Sequence, residues 1–296
     1  MNPKENILVV GGTGMLGKAL VRQLLLSGAD VHVMTRTPEK CSDMRQSGVH
    51  VMGGDLIDKS SLLKVCNGMD VVVVAAHSVL GKGKYDSPQV DDQGHRDLID
   101  AANQNGVKYF IYNSVIGVEK DSPIDFWRTK SRIENYLKQS GMAYNIIRAS
   151  AFMELHVGEF MGKSILGKGK VIVFGKGENP TNFVSVHDVA RLMMYCLEHP
   201  EVRNSTIEIG GLDNVSRKDI IEMYAALTGR KIKVTHMPRG VLKVMSILFK
   251  PFHPGLSRIM FVSQYLDAKD ESFDVRPLLK NIPLKITRME DFIRAG

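Results

Sequence analysis

Cysteine is scarce. The three in 296 residues, Cys41, Cys66 and Cys196, stand alone with no C-x-x-C spacing. A disulfide framework or a zinc site is hard to assemble from them, no metal is expected, and a reducing compartment is the simpler setting. Long apolar runs are missing too: stretches such as Val71–Ala76 fall far short of the roughly 18 residues needed to span a bilayer. No charged start followed by a long apolar stretch precedes the first glycines, so no secretory leader is visible and a cytoplasmic protein is expected. The most local absence is of acid. Residues 1–229 hold 26 basic and 26 acidic side chains and residues 267–296 hold 6 of each, so the formal charge of +7 lies wholly between Arg230 and Leu266. A protein that coats nucleic acid would not concentrate its charge in this way, and no nucleic-acid partner is expected.

What is present is an alternation. Strand-like bursts at Asn6–Val10, Val31–Met34, Val49–Met52, Val71–Ala76, Tyr109–Tyr112 and Tyr144–Ile147 are separated by helix-length segments, among them Lys18–Leu26, Ser60–Cys66, Val90–Asn105 and Phe126–Gln139. Such a series predicts an α/β fold, a doubly wound parallel sheet with helices on both faces. Beyond residue 150 the pattern loosens. Gly162–Gly177 suggests turns around a strand at Val171–Phe174, Val186–Leu197 a returning helix, and Ser216 with Asp219 a helix start. The expected organisation is a dinucleotide-binding Rossmann domain over 1–210, with 151–180 contributing to a smaller C-terminal α/β cap made mainly by 211–296.

The most specific signal is Val9–Gly17, which follows a strand and opens a helix. Gly11, Gly12, Thr13, Gly14, Met15, Leu16 and Gly17 satisfy G-x-G-x-x-G, a spacing that permits a tight turn, close backbone approach to a pyrophosphate, and helix-to-strand packing. The second strand ends in Arg36, where an NAD-binding chain would carry an acid. An arginine pairs with a 2′-phosphate that a carboxylate would repel, so NADP(H) is the expected cofactor.

These stretches, with Gly54-Asp55-Leu56, Val72–Ala76, Asp92–Ser114, Arg148–Glu154 and Phe183–Ala190, resemble the atypical short-chain dehydrogenases/reductases of the NmrA-like group over about residues 1–200. The resemblance implies that Asp55 and Leu56 meet the adenine, that Ala75 and Ala76 line the ribose and pyrophosphate, and that Ala149, Ser150, Ala151 and Phe152 pass beside the nicotinamide. Asp55 has the alternative of capping the next helix, and the two alanines of packing. The family's reductases use Ser, Tyr and Lys; aligned here these are Ser114, Phe126 and Lys130. A phenyl ring cannot transfer a proton. Lys130 is left to hold the ribose, with a solvated charge beside Arg128 and Arg132 as its alternative. His77 is the best remaining imidazole, Tyr112 is expected to pack, and Asp188 to cap its helix. The glycine-rich Gly81–Pro88 suggests a mobile loop.

Within the acid-free segment, Pro238–Phe249 and Gly255–Leu266 are strongly apolar helical stretches around Lys250–Pro254. Core packing, a lid over substrate and peripheral contact with an anionic membrane through 238–266 all remain open. The functional expectation is an NADP(H)-binding oxidoreductase acting on a small or medium apolar carbonyl, quinone or enone. The alternative is a non-catalytic NADP(H)-responsive regulator or assembly factor.

Overall fold

A computed structural model describes residues 5–296. The chain forms two compact units, one running to Arg148 and resuming over 189–207, the other comprising 149–188 and 208–296. The first is built on β-branched and aromatic runs: β1 (Asn6–Val10), β2 (Asp30–Thr35), β3 (His50–Gly53), β4 (Val71–Val74), β5 (Tyr109–Val115) and β6 (Ala143–Ala149). The second contributes β7 (Ala151–Phe152), β8 (Lys170–Phe174), β9 (Thr181–Val184), β11 (Asn214–Val215) and β12 (Lys233–Met237), and β10 (Ser205–Ile209) crosses the boundary at 207.

The main sheet has the order β10-β6-β5-β4-β1-β2-β3. β1 lies parallel to β2 on one side, with Val9 opposite Val33, and to β4 on the other, with Val9 opposite Val73. Order reverses between β1 and β4, the switch point at whose carboxyl ends doubly wound sheets bind ligands. Ile7, Leu8, Val9 and Val10 are wholly buried, as are Val72, Val73 and Val74. Full burial of such side chains contributes roughly 1.5–3 kcal/mol each, which explains why a strand covered on both faces is an unbroken valine run.

Helices Met15–Leu26, Lys59–Cys66, His95–Gln104 and Asp125–Lys138 connect these strands. The single helix expected over Val90–Asn105 is instead a π-helical turn, Pro88–Gly94, leading into His95–Gln104. The turn packs closely, since a Cβ at Gly94 would sit 2.7 Å from the Leu56 carbonyl oxygen. The widened turn also carries Asp91, wholly buried, which accepts the Ser78 amide at 2.7 Å and the Ser87 hydroxyl at 2.6 Å. All three cysteines are free and buried, and burial pushes the Cys66 and Cys196 thiols up to about 12.

In the second unit a three-stranded sheet, β11-β9-β7, accompanies the parallel pair β8 and β12. Their core gathers Met153, Val157, Phe183, Tyr224 and Met289. The capping box at Ser216 and Asp219 forms as expected. Part of the expected turn region, Lys163–Lys168, is helical, with Gly162 packed under the Tyr224 hydroxyl. Asp188 is the acid in the first turn of the helix Val186–Glu198. Its buried carboxylate accepts the Thr287 amide at 2.8 Å and hydroxyl at 2.9 Å, while Glu154 and Ser185 take the first amides of the helix, Val186 and His187. Among the described residues no helix is long and apolar enough to cross a membrane.

Candidate functional site

The glycine loop closes the carboxyl end of β1. Gly11 has φ +85°, and a Cβ there would lie 2.7 to 2.9 Å from Ala76. A Cβ on Gly12 would meet both Val33 methyls at 2.8 Å, and one on Gly17 would land on the Gly11 carbonyl oxygen and 2.6 Å from the Gly12 Cα. These three glycines weld loop, strand and helix together. Gly14 differs: it N-caps the helix Met15–Leu26 without a side-chain cap, no acid sits in the first turn, and a Cβ would meet only the Gly11 oxygen at 3.3 Å. Thr13, Gly14 and Met15 are exposed, whereas Leu16 is core. The uncapped amides of that turn form a cradle suited to an anion. Ala75 donates its amide to Val10 at 2.8 Å, fixing the β4 end beside the loop.

At the neighbouring strand ends a residue missed by sequence reasoning organises the site. Tyr85 donates its hydroxyl to Asp55 at 3.0 Å, and the exposed Arg36 guanidinium lies over its ring at 4.5 Å. Asp55 also accepts the Ile57 amide, and the helix it was weighed against is capped by Asp58, which accepts from Ser60 and Ser61. Leu56 is buried in the core beneath. The Gly81–Pro88 loop carrying Tyr85, expected as mobile, is tied down by Ser78, whose hydroxyl donates to the Tyr85 carbonyl at 2.6 Å.

After β5 the helix Asp125–Lys138 turns Lys130 inward. Its side chain is only 2% exposed, which overturns the solvated alternative. The ammonium donates to the Asn113 carbonyl at 2.9 Å and lies 4.5 Å from the Tyr112 ring centre and 5.4 Å from that of Phe126. Burial lowers its pKa to about 8, against the raising influence of Asp91 and Glu134. Asn113 Oδ1, buried beside it, has no hydrogen-bond partner among the described residues. His77 sets its ring edge against Phe126 at 6.3 Å; it is exposed yet walled in by surrounding chain, and this crowding followed by the Lys130 charge lowers its pKa. His95, buried against Tyr112, is held down to about 4, chiefly by burial.

Ser114 donates to Glu134 at 2.6 Å, and Glu134, itself 2% exposed, receives Arg148 through two nitrogens at 3.0 and 2.6 Å. Removing one partner of a buried ion pair costs about 3–5 kcal/mol. Glu134→Ala is therefore expected to lower the urea midpoint by that equivalent with unchanged slope; a loss below 1 kcal/mol would show the pair to be structurally idle.

Ala149, Ser150, Ala151 and Phe152 belong to the second unit. There Ser150 donates its amide to Ile209 at 3.0 Å, and Ala151 and Phe152 pair with Phe183 and Val184. Among the described residues one trio has metal-ligand chemistry: Asp30, His32 and His50 at the amino ends of β2 and β3. Their imidazoles stack at 4.7 Å with 21° between planes. Asp30 bridges them, at 3.4 and 3.2 Å from the two Nε2 atoms.

The glycine cradle and switch-point topology agree with a family match that runs from residue 3 to residue 293. The chain belongs to the NmrA-like family. The likeness covers the acid-free segment as well as the first 200 residues. Photosystem II assembly factor Ycf39 of Cyanophora paradoxa is 30% identical over 241 residues, covering 81% of this chain and 74% of that protein. NAD(P)H azoreductase of Xenophilus azovorans is 28% identical, covering 77% and 75%. Triphenylmethane reductase of Citrobacter sp., solved in complex with NADP(H), has the same fold, with a TM-score of 0.80 at 20% identity over 98% of this chain and 99% of that one.

Proposed function

We propose that this chain is an NADP(H)-dependent reductase of cytoplasmic setting that acts on a small, apolar carbonyl, quinone or enone. The observation that carries the reading is the buried Lys130 ammonium, held near pKa 8 at the carboxyl edge of the same sheet as the glycine cradle. Relatives named as NAD(P)H azoreductase and pinoresinol reductase support the reaction class, and solved neighbours complexed with NADP(H) or NADPH support the cofactor.

The cradle fits the cofactor: Gly11, Gly12 and Gly17 leave no room for a side chain, and the first-turn amides face outward for a pyrophosphate. Asp55 and Tyr85 take the adenine side, and Arg36, over the Tyr85 ring, takes the 2′-phosphate. A nicotinamide bound there supplies the hydride. The protein must supply a proton, and Phe126 supplies none. Lys130 has three donors, of which one is on Asn113, leaving two for a ribose hydroxyl and the reacting oxygen. His77, exposed and sensing the Lys130 charge, exchanges that proton with solvent. Ser114 has committed its hydroxyl proton to Glu134, so its part is to hold that carboxylate near Lys130.

Arg36→Ala is expected to weaken NADPH binding tenfold or more while leaving NADH unchanged, on the order of one bidentate charge-assisted contact. Equal NADPH and NADH affinities in the unaltered protein would remove the assignment. The reading itself is tested by NADPH oxidation against a panel of quinones, enones and aldehydes. Turnover on any apolar member sustains it. Tight NADPH binding without oxidation across the panel replaces it with a cofactor-responsive assembly factor, the reading that Phe126 and the 30% identity to Ycf39 favour.

A further inference from the structure

The helix Arg239–Phe249 is amphipathic in an unusual sense. Its inner face, Leu242 and Ser246, is buried, and Ser257 of the following helix Pro254–Leu266 donates to the Ser246 carbonyl at 2.6 Å. The opposite face should be polar, yet it presents Val241, Val244, Ile247 and Leu248, between 44% and 64% exposed, and the turn beyond it offers Phe252 at 82%. At about 100° per residue these four aliphatics fall on one arc, and Arg239, Lys243 and Lys250, all exposed, fall together on one side of it, between the arc and the buried face. Core packing of this helix, open on the sequence alone, holds only for its inner face.

We propose that this stripe docks the protein peripherally on an anionic lipid bilayer, with the aliphatics and Phe252 in the interfacial layer and the cations on lipid phosphates. Three observations select that occupant. Charge complementarity is one-sided, since the 37 residues around the stripe hold seven cations and no carboxylate. Self-association through the same patch would set cations against cations, because a two-fold contact is isologous. Protein hot spots favour Trp, Tyr and Arg and are depleted in Lys, whereas this stripe is aliphatic with lysines whose stems can reach past it to headgroups.

The full-length protein is tested by co-sedimentation with phosphatidylcholine vesicles, with and without phosphatidylglycerol, at low and high salt. Binding is expected only to the anionic vesicles and is lost at high salt. An Arg239→Gln/Lys243→Gln/Lys250→Gln variant is expected to partition on the order of 100-fold more weakly, at roughly fivefold per charge. A separate Ile247→Ser/Leu248→Ser variant keeps every charge and is expected to lose most of the binding. Both variants sit on exposed side chains, and unchanged circular dichroism melts certify their folds. No binding to anionic vesicles, binding equal on neutral vesicles, or binding untouched by both variants overturns the proposal. So does a dimer on gel filtration that Ile247→Ser/Leu248→Ser dissolves, which would assign the stripe to a second copy.

Discussion

Lys130→Met is expected to reduce turnover by a factor of about 100 to 10,000, the range of a lost general acid, while the protein remains folded. The methionine fills the same space between Tyr112 and Phe126 and removes a cation that the interior tolerates poorly. Lys130→Arg is expected to fare no better, since a guanidinium with a pKa above about 12 releases no proton near neutrality and needs a wider slot. Steady-state NADPH oxidation with the best panel substrate makes the measurement. Turnover within a factor of three of the unaltered protein would take Lys130 out of the chemistry. An isolated rise in the Michaelis constant for NADPH would leave it holding the ribose alone.

The same side chain sets a pH dependence with a definite sign. Its folded pKa, about 8, lies below the ordinary 10.5 because burial penalises the charged form. Where the ammonium is the acid, the rate falls as pH rises through about 8 in the free protein. Stability moves the other way. Between about 8 and 10.5 the unfolded chain binds the extra proton and the folded one does not, so this group's contribution to stability rises across that window. The burial cost, on the order of 3 kcal/mol at 1.36 per pKa unit, is fully present below pH 8 and gone above about 10.5. Lys130→Met should flatten both trends.

Much of the architecture was legible because it rests on local composition. Val71–Val74 could only be a strand buried on both faces, and the spacing of Gly11, Gly12, Gly14 and Gly17 between a strand and a helix has few other uses. The site residues that escaped notice depend on contacts distant in sequence. Tyr85 sits in a Gly/Lys-rich loop without periodicity, and its partner Asp55 is 30 residues away. Asp55 and Asp58 are equally good caps in the sequence; only the turn geometry gives the role to Asp58. Glu134 looks like an ordinary surface charge beside Arg132, and Lys130 is singled out by the resemblance alone. One signal was available: they are four apart and share the helix stripe of Ile133 and Leu137, both wholly buried, so a charge there had to be paired or functional. The resemblance aligns Ser114 with the serine of the family's Ser-Tyr-Lys set, and only the geometry shows its hydroxyl given to Glu134.

Gly17→Ala is expected to have the largest effect on cofactor binding of any single methyl group in the chain. Its Cβ would clash with the Gly11 carbonyl oxygen and stand 2.6 Å from the Gly12 Cα, and both obstacles are backbone atoms that no rotamer change can clear. The helix would have to move off β1, carrying its first-turn amides with it. Overpacking of this kind costs about 1–3 kcal/mol of stability. The displaced amides are expected to weaken NADPH binding at least 100-fold, read by fluorescence titration. Gly14→Ala supplies the contrast: its Cβ touches only one oxygen, at 3.3 Å, on a backbone any residue adopts, φ −78° and ψ 178°. It should leave the melting temperature unchanged and still weaken NADPH, because the methyl enters space the loop keeps for a phosphate. If Gly14→Ala binds as the unaltered protein does, the pyrophosphate does not lie over this turn; if Gly17→Ala binds normally, the loop is not what holds the cofactor.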